Sequence, residues 1–218
     1  MKPLALLFDL DGTLIDSIGL LLDCMDAAFD GRSRRPTRAE WTAGIGTPLR
    51  TQLAGWADSP EEINTLVEGY RLYQDAHLEG LTSLFPEVAD TVAWAKAQGH
   101  ATAVVTSKGR VMTGRSLRHV GLEHAFDAVV TYEETERHKP MPDPVWLALE
   151  RLGLPADRAV FIGDSPHDMG AGRAANVRTA AALWGPFSRA ELTDSNPTYW
   201  LTRMGELPTV LSAFDRVP

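Results

Sequence analysis

Residues Leu4 to Phe8 read LALLF, an apolar run that stops at Asp9, with Asp11 two residues further on. A short, nearly continuous apolar run has the pattern of a strand buried on both faces, as in a parallel sheet. Such a strand sits inside the protein, yet this one ends in two acids. Like charges this close disfavour joint ionisation unless a cation or a proton intervenes. The junction therefore reads as a metal site or an acid/base pair, and the rest of the chain supports both. Gly12, Thr13 and further apolar residues follow.

Beyond Asp16 the pattern turns helical. Ile18, Leu21, Leu22, Met25 and Phe29 fall at helical spacing, with Gly31 as the stop. Thr37 and Glu40 have the spacing of a capping box that opens a second helix ending near Gly44. A third helix is expected from Pro48 to about Trp56. Ser59-Pro60-Glu61-Glu62 is a helix start, and that helix should run to about Leu78. Residues 17–82 thus read as an inserted all-helical domain between two parts, 1–16 and 83–218, of a core domain. From Pro86 onward strands and helices alternate. Strands are expected at Ala101–Thr106, Ala128–Thr131, Ala159–Ile162 and Arg178–Leu183, with helices at Pro86–Gln98, Arg110–Val120, Asp143 to Gly153 and Pro166–Ala175. One helix is expected in the tail, near Glu206–Phe214. Alternation of this kind argues for an α/β fold, a parallel sheet with helices on both faces. Ligands of such sheets bind at the carboxyl ends of the strands. Asp9 and Asp164 follow strands, Thr106 ends one and Lys139 lies on the loop after another, so the fold should gather them on one edge.

Composition sets limits on partners. With 218 residues, 44% of them hydrophobic, there is material for a sizeable core. A net charge of −8 disfavours bulk electrostatic binding of nucleic acid but allows a local phosphate site. The lone cysteine, Cys24, has no internal disulfide partner and suits a core position in a reducing compartment. No apolar run is long enough to span a membrane, and the N-terminal run lacks the length of a signal-peptide core. The expected setting is cytoplasmic, with no membrane and no nucleic-acid partner, as a monomer or homodimer.

Four motifs stand in order: Asp9-Leu10-Asp11-Gly12-Thr13-Leu14, Val105-Thr106-Ser107, His138-Lys139-Pro140 and Gly163-Asp164-Ser165-Pro166-His167-Asp168. With a helical insert after the first, they resemble the haloacid-dehalogenase-like (HAD) superfamily, over nearly the whole chain. The nearest resemblance is to its phosphoglycolate-phosphatase-like branch with an α-helical cap. The resemblance implies a Rossmann-like core and a Mg²⁺-dependent phosphatase of a small phosphorylated metabolite. It implies Asp9 as nucleophile, forming an aspartyl-phosphate, and Asp11 as general acid and then base, which requires Asp11 to hold a proton near neutral pH. A carboxylate nucleophile splits a very slow hydrolysis into two easier displacements. Because an anion then meets an anion, cations are needed. The implied Mg²⁺ ligands are the Asp9 and Asp164 side chains and the Asp11 backbone carbonyl, with Asp168 reaching the metal directly or through water. Lys139 would supply a point charge. Thr106, with backbone N–H groups near Gly12 and Ser107, would donate to phosphate oxygens. Lys108 joins them as a substrate-binding candidate.

The same resemblance separates chemistries. Dehalogenases lack an aspartate at the position of Asp11, so its presence points to phosphoryl transfer. Phosphonate-cleaving relatives use a cap lysine, and residues 17–82 contain none. Sugar-phosphate mutases carry a Lys-Gly-x-Ser-Arg-like cap loop. Gly44-Ile45-Gly46-Thr47-Pro48-Leu49-Arg50 keeps glycines and an arginine but lacks the lysine and serine. Hydrolysis is therefore expected over the alternative, a mutase or phosphotransferase. Arg50 is the expected cap contact, able to grip a second anionic group bidentately. The cluster Arg32, Arg34, Arg35 and Arg38 reads as a solvated turn, and His138 and His167 as bystanders.

Overall fold

The computed structural model describes residues 3–214. The chain opens with β1 (Ala5–Phe8), β2 (Ile15–Asp16), α1 (Ile18–Ala28), α2 (Arg38–Ala43), α3 (Leu49–Ala54), α4 (Pro60–Leu81) and β3 (Ser83–Leu84). It continues with α5 (Val88–Ala97), β4 (Ala101–Val105), α6 (Arg110–His119), β5 (Ala128–Val130), α7 (Asp143–Leu152) and β6 (Ala159–Gly163). It closes with α8 (Pro166–Ala174), β7 (Arg178–Ala182), α9 (Arg189–Thr193), β8 (Tyr199–Leu201) and α10 (Leu207–Leu211).

Six strands form one sheet in the order β5-β4-β1-β6-β7-β8, every pair parallel. β1 lies between β4 and β6, where the winding direction reverses. Its burial is complete on both faces. Leu4, Leu6 and Phe8 join one core cluster, with Val88, Val92 and Met204. Ala5 and Leu7 join another, with Val145, Ala148 and Phe161. Two-sided burial explains the unbroken apolar run, and each large side chain so buried contributes roughly 1.5–3 kcal/mol. Phe8 pairs with both Val104 and Ile162. One step further the same register sets Asp9 level with Val105 and Gly163, so Thr106 and Asp164 emerge just beyond it.

β2 and β3 pair antiparallel, Ile15 with Leu84 and Asp16 with Ser83. The chain therefore leaves the sheet and returns side by side, with α1 to α4 between. These helices bury a core of their own, including Leu20, Cys24, Met25, Phe29, Trp41, Leu53, Tyr70 and Leu78. Thr37 and Glu40 form the expected capping box, and the Ser59 side chain caps α4. Cys24 is a buried free thiol, and burial pushes it up to about 12. The arginine cluster forms ion pairs from Arg32 to Glu62, Arg34 to Asp58, Arg35 to Asp26 and Arg38 to Asp23 and Asp26. Most of these side chains are well exposed, so each pair contributes little to stability.

Several boundaries differ from expectation. α5 starts two residues later than Pro86, because Glu87 adopts a left-handed conformation (φ 65°) and its carboxylate is held by Arg203 Nη1 (2.6 Å) and the Gly205 N–H (2.9 Å). α4 runs to Leu81. The sixth strand, β8, was not expected: Tyr199-Trp200-Leu201 is only three residues long and forms by pairing to β7. The expected tail helix is a 3₁₀ turn at Met204–Glu206 leading into α10. No helix among the described residues is long and apolar enough to cross a membrane.

Candidate active site

The carboxyl edge of the sheet collects the acids. The Asp9 N–H donates to the Ile162 carbonyl (2.9 Å), extending the β1 ladder one residue past the strand and fixing the start of the loop. The Asp9 carboxylate, 5% exposed, accepts through Oδ1 from Lys139 Nζ at 2.8 Å. The same ammonium donates to Asp168 Oδ1 at 2.7 Å. Ser165 and Asp168 cap α8 reciprocally, and Asp168 Oδ2 accepts from the Ser165 N–H (3.0 Å) and hydroxyl (2.6 Å). The capping box is thus also part of the site: it holds Asp168 with its other oxygen on Lys139.

Asp164 is placed by neighbours that leave little freedom. Thr13 Oγ1 donates to its Oδ1 at 2.6 Å. Gly12 has φ +87°, and a Cβ there would stand 2.7 Å from Asp164 Oδ2; a Cβ on Gly185 would stand 2.3 Å from Asp164 Cβ. Both glycines are needed for close approach. Asp164 Oδ2 is buried and has no hydrogen-bond partner among the described residues. A buried acceptor without a donor is costly.

The electrostatics are lopsided. Asp9, Asp164 and Asp168 are all buried, and each offers a carboxylate oxygen within 4.8 Å of the others, against the single ammonium of Lys139. Burial, then repulsion from Asp168, pushes Asp9 up to about 7 although Lys139 resists. Burial and the Asp168 and Asp9 charges hold Asp164 well above the usual carboxylate range. Burial works against the Lys139 charge, but Asp168 and Asp9 outweigh it and keep the ammonium above the usual lysine value. Three hard oxygen donors, an excess of buried negative charge and the orphaned Asp164 Oδ2 fit a small divalent cation.

Asp11 faces a different set of groups. Its Oδ1 accepts from Ser17 Oγ and Lys108 Nζ, both at 2.6 Å. Asp9 and Asp11 line one cavity of about 390 Å³ with Thr106, Ser107 and Lys108 from the sheet edge and Trp41, Arg50, Tyr70 and Gln74 from the helical segment.

Most expected residues therefore meet, but several do so differently. The Gly12 N–H donates to the Ile15 carbonyl (2.9 Å), so it is not a free phosphate donor; the glycine instead makes room for Asp164. Ser107 Oγ donates to the Gly46 carbonyl across to the helical segment (2.6 Å), which leaves only its backbone for a substrate. Lys108 is 7% exposed and engaged by Asp11. Arg50 lines the cavity but is exposed, with Nη2 donating to Asn64 Oδ1 at 2.9 Å. His138 stacks on Tyr132 with ring centroids 4.6 Å apart. Sequence reasoning missed Thr13, Ser17 and Gly185 as positioning residues. Thr13 and Ser17 stand in or beside the first motif, whereas Gly185 carries no local signal.

A doubly wound parallel sheet with buried acids and a lysine at the carboxyl end of its central strand defines a hydrolase-type α/β site built on carboxylate chemistry. The chain belongs to the haloacid dehalogenase-like hydrolases, whose family model matches residues 6–182. It is similar, at 35% identity over 99% of this chain and 97% of the relative, to a Caldanaerobacter subterraneus protein provisionally named pyrophosphatase PpaX. It is 32% identical to pyrophosphatase PpaX of Anoxybacillus flavithermus, over 97% of this chain and 98% of that one. A crystal structure of a predicted phosphoglycolate phosphatase from Haemophilus somnus superposes with a TM-score of 0.87 at 23% identity, covering 97% and 99% of the two chains, a likeness of fold.

Proposed function

We propose that the protein is a phosphatase that hydrolyses a small phosphorylated metabolite through an aspartyl-phosphate on Asp9. The observation that carries this reading is the placement of Asp9 and Asp11 on one cavity with different partners, Asp9 on Lys139 and Asp11 on Ser17 and Lys108. An Asp9 oxygen attacks phosphorus, and the bond from phosphorus to the leaving oxygen breaks. Asp11 gives its proton to that oxygen. Asp11 then takes a proton from the water that attacks the aspartyl-phosphate, which frees phosphate and restores Asp9. Acid/base assistance of this kind is worth roughly 100- to 10,000-fold. The Thr106 hydroxyl accepts from the Lys108 N–H (3.1 Å), which leaves its own proton for a phosphate oxygen. The names of the pyrophosphatase relatives favour hydrolysis over transfer to a second hydroxyl.

The side chains of Asp9 and Asp164, the Asp11 carbonyl and, directly or through water, Asp168 would hold Mg²⁺, the cofactor we assign. When bound it supplies positive charge that offsets the excess of carboxylates and favours the ionised form of Asp9. Residues 17–82 act as a cap that covers the site and excludes water. We assign the protein to the cytoplasm.

The test is Asp9→Asn assayed with Mg²⁺ on p-nitrophenyl phosphate. Turnover is expected to vanish while the circular dichroism spectrum stays native. Near-wild-type turnover in that variant would show that Asp9 is not the nucleophile.

A further inference from the structure

The roof of the cavity contains a residue that helix packing does not explain. The buried positions of α4 are Leu66, Val67, Tyr70, Gln74 and Leu78, a stripe facing α1 and the helical core. A leucine or a valine would suit position 74. Gln74 is instead 6% exposed, lines the cavity, and makes no hydrogen bond with any described residue. One turn earlier on the same face, Tyr70 is 5% exposed, lines the same cavity, and its hydroxyl likewise has no partner among the described residues. Two polar side chains with no partner among the described residues stand on one apolar stripe, and their polar atoms open on the cavity that holds Asp9, available to a ligand that enters from solution.

The charges around them narrow what that partner is. The cations among the described cavity-lining residues are Lys108, Arg50 and Arg71. Lys108 is engaged by Asp11. Arg50 and Arg71 are exposed. The buried part of the roof is Trp41, Tyr70 and Gln74, with Leu21 and Ile45 beside them, and carries no charge; Arg50, Arg71 and Asp75 line the cavity from exposed positions. Burial holds the Tyr70 hydroxyl in its neutral form. A leaving group that is itself a phosphate or a carboxylate would be desolvated there against neutral groups, which is costly. A hydroxylated carbon leaving group fits: its O–H groups pair with the Gln74 amide and the Tyr70 hydroxyl, and its C–H face packs on Trp41.

We propose that Gln74 and Tyr70 are the specificity-determining pair of this enzyme, and that its substrates are phosphate monoesters of neutral polyhydroxylated alcohols, polyol or sugar phosphates, rather than pyrophosphate or phosphoglycolate. This rests on the phosphatase reading above. Gln74 contributes both a donor and an acceptor, and Tyr70 adds a second hydroxyl. A site that hydrogen-bonds substrate hydroxyls discriminates strongly against analogues that lack them.

The experiment measures kcat/KM with Mg²⁺ for glycerol 1-phosphate, glucose 6-phosphate, phenyl phosphate, phosphoglycolate and pyrophosphate, in wild type, Gln74→Leu and Tyr70→Phe. In wild type at least one hydroxylated ester is expected to exceed both phosphoglycolate and pyrophosphate. The ratio of the better hydroxylated ester to phenyl phosphate should fall at least about 10-fold in Gln74→Leu and several-fold in Tyr70→Phe. Gln74→Leu should unfold no earlier than wild type, since leucine completes the stripe. A purely structural glutamine would instead lower the melting temperature and depress all substrates together, and that outcome overturns the inference. So does a wild type that prefers pyrophosphate or phosphoglycolate, which would leave the phosphatase reading intact. Release of phosphate from none of the five compounds would overturn the phosphatase reading itself.

Discussion

Replacing Lys139 by methionine keeps much of the side chain's length and removes its charge. In the folded protein Lys139 Nζ lies 2.8 Å from Asp9 Oδ1 and 2.7 Å from Asp168 Oδ1, and the three side chains are 1%, 5% and 0% exposed. Removing one partner from a buried ion-pair network costs roughly 3–5 kcal/mol, because the remaining charges stay buried without compensation. In a chain this long, each kcal/mol shifts the melting temperature by about 2–4 °C, so Lys139→Met should melt roughly 6–20 °C below wild type in metal-free buffer. The sign of the pH effect follows from Asp9. Its folded-state value, about 7, is raised above the unfolded value of 3.8. The folded state therefore binds the extra proton, and the Asp9 contribution to wild-type stability falls as pH rises from about 4 to about 7, then levels. Loss of the lysine raises the folded value further, so in the variant the fall continues above pH 7. The deficit relative to wild type should be larger at about pH 8.5 than at about pH 5. Urea denaturation followed by circular dichroism in chelator at both pH values measures it. Adding Asp168→Asn removes one of the two stranded charges and should recover part of the loss. A deficit below about 1 kcal/mol at the higher pH, or one that does not narrow at the lower, would refute the account.

Gly185→Ala would bring a Cβ to 2.3 Å from Asp164 Cβ; a stability loss of about 1–3 kcal/mol is expected from overpacking, with a fall in kcat larger than that loss explains. Gly114→Ala, on α6 with nothing within 4 Å of the added atom, is the control and should be neutral or stabilising by up to about 1 kcal/mol, read by the same melts. His100 is 4% exposed and accepts the Leu4 N–H at Nδ1 (3.1 Å), and burial lowers its pKa. The unfolded chain therefore takes up this proton first as pH falls below about 6.5, and the contribution is lost toward acid. His100→Asn should flatten that part of the stability profile, measured as the difference from wild type.

Those residues also show what was legible in the sequence. Lys139 and Asp9 stand far apart in sequence, yet the alternation of strands and helices and the rule that parallel strands end on one edge placed both on the same edge. Asp9 and Asp164 were readable because a charge directly after a buried strand needs a reason; Asp11, Lys139 and Asp168 were read through the motifs that carry the family resemblance. Lys108 and Ser107 were harder. Their positions after β4 were correct, but whether a long side chain turns to the substrate, to Asp11 or to the helical segment depends on rotamers that only the assembled site selects. Gly185 and β8 were invisible for a related reason. A glycine in a loop and a three-residue strand have no periodicity, and each acquires its role from a partner distant in sequence, Asp164 for one and β7 for the other.

Gln74 lies between these cases. Its stripe, Val67, Tyr70, Gln74 and Leu78, follows helical spacing and was available from sequence as a violation of the apolar pattern. The violation gains meaning only beside the cavity, because a glutamine on a helix is ordinarily solvated. The floor of that cavity holds the charged groups Asp9, Asp11 and Lys108, and the buried part of the roof holds the neutral pair Tyr70 and Gln74, without partners among the described residues. Chemistry and selection are thereby carried by different parts of the chain. Changes in the floor, at Asp9, Asp11 or Lys139, should depress every phosphoester alike. Changes in the roof should alter the ratios between substrates, because a roof hydrogen bond reaches the leaving group and not the phosphorus.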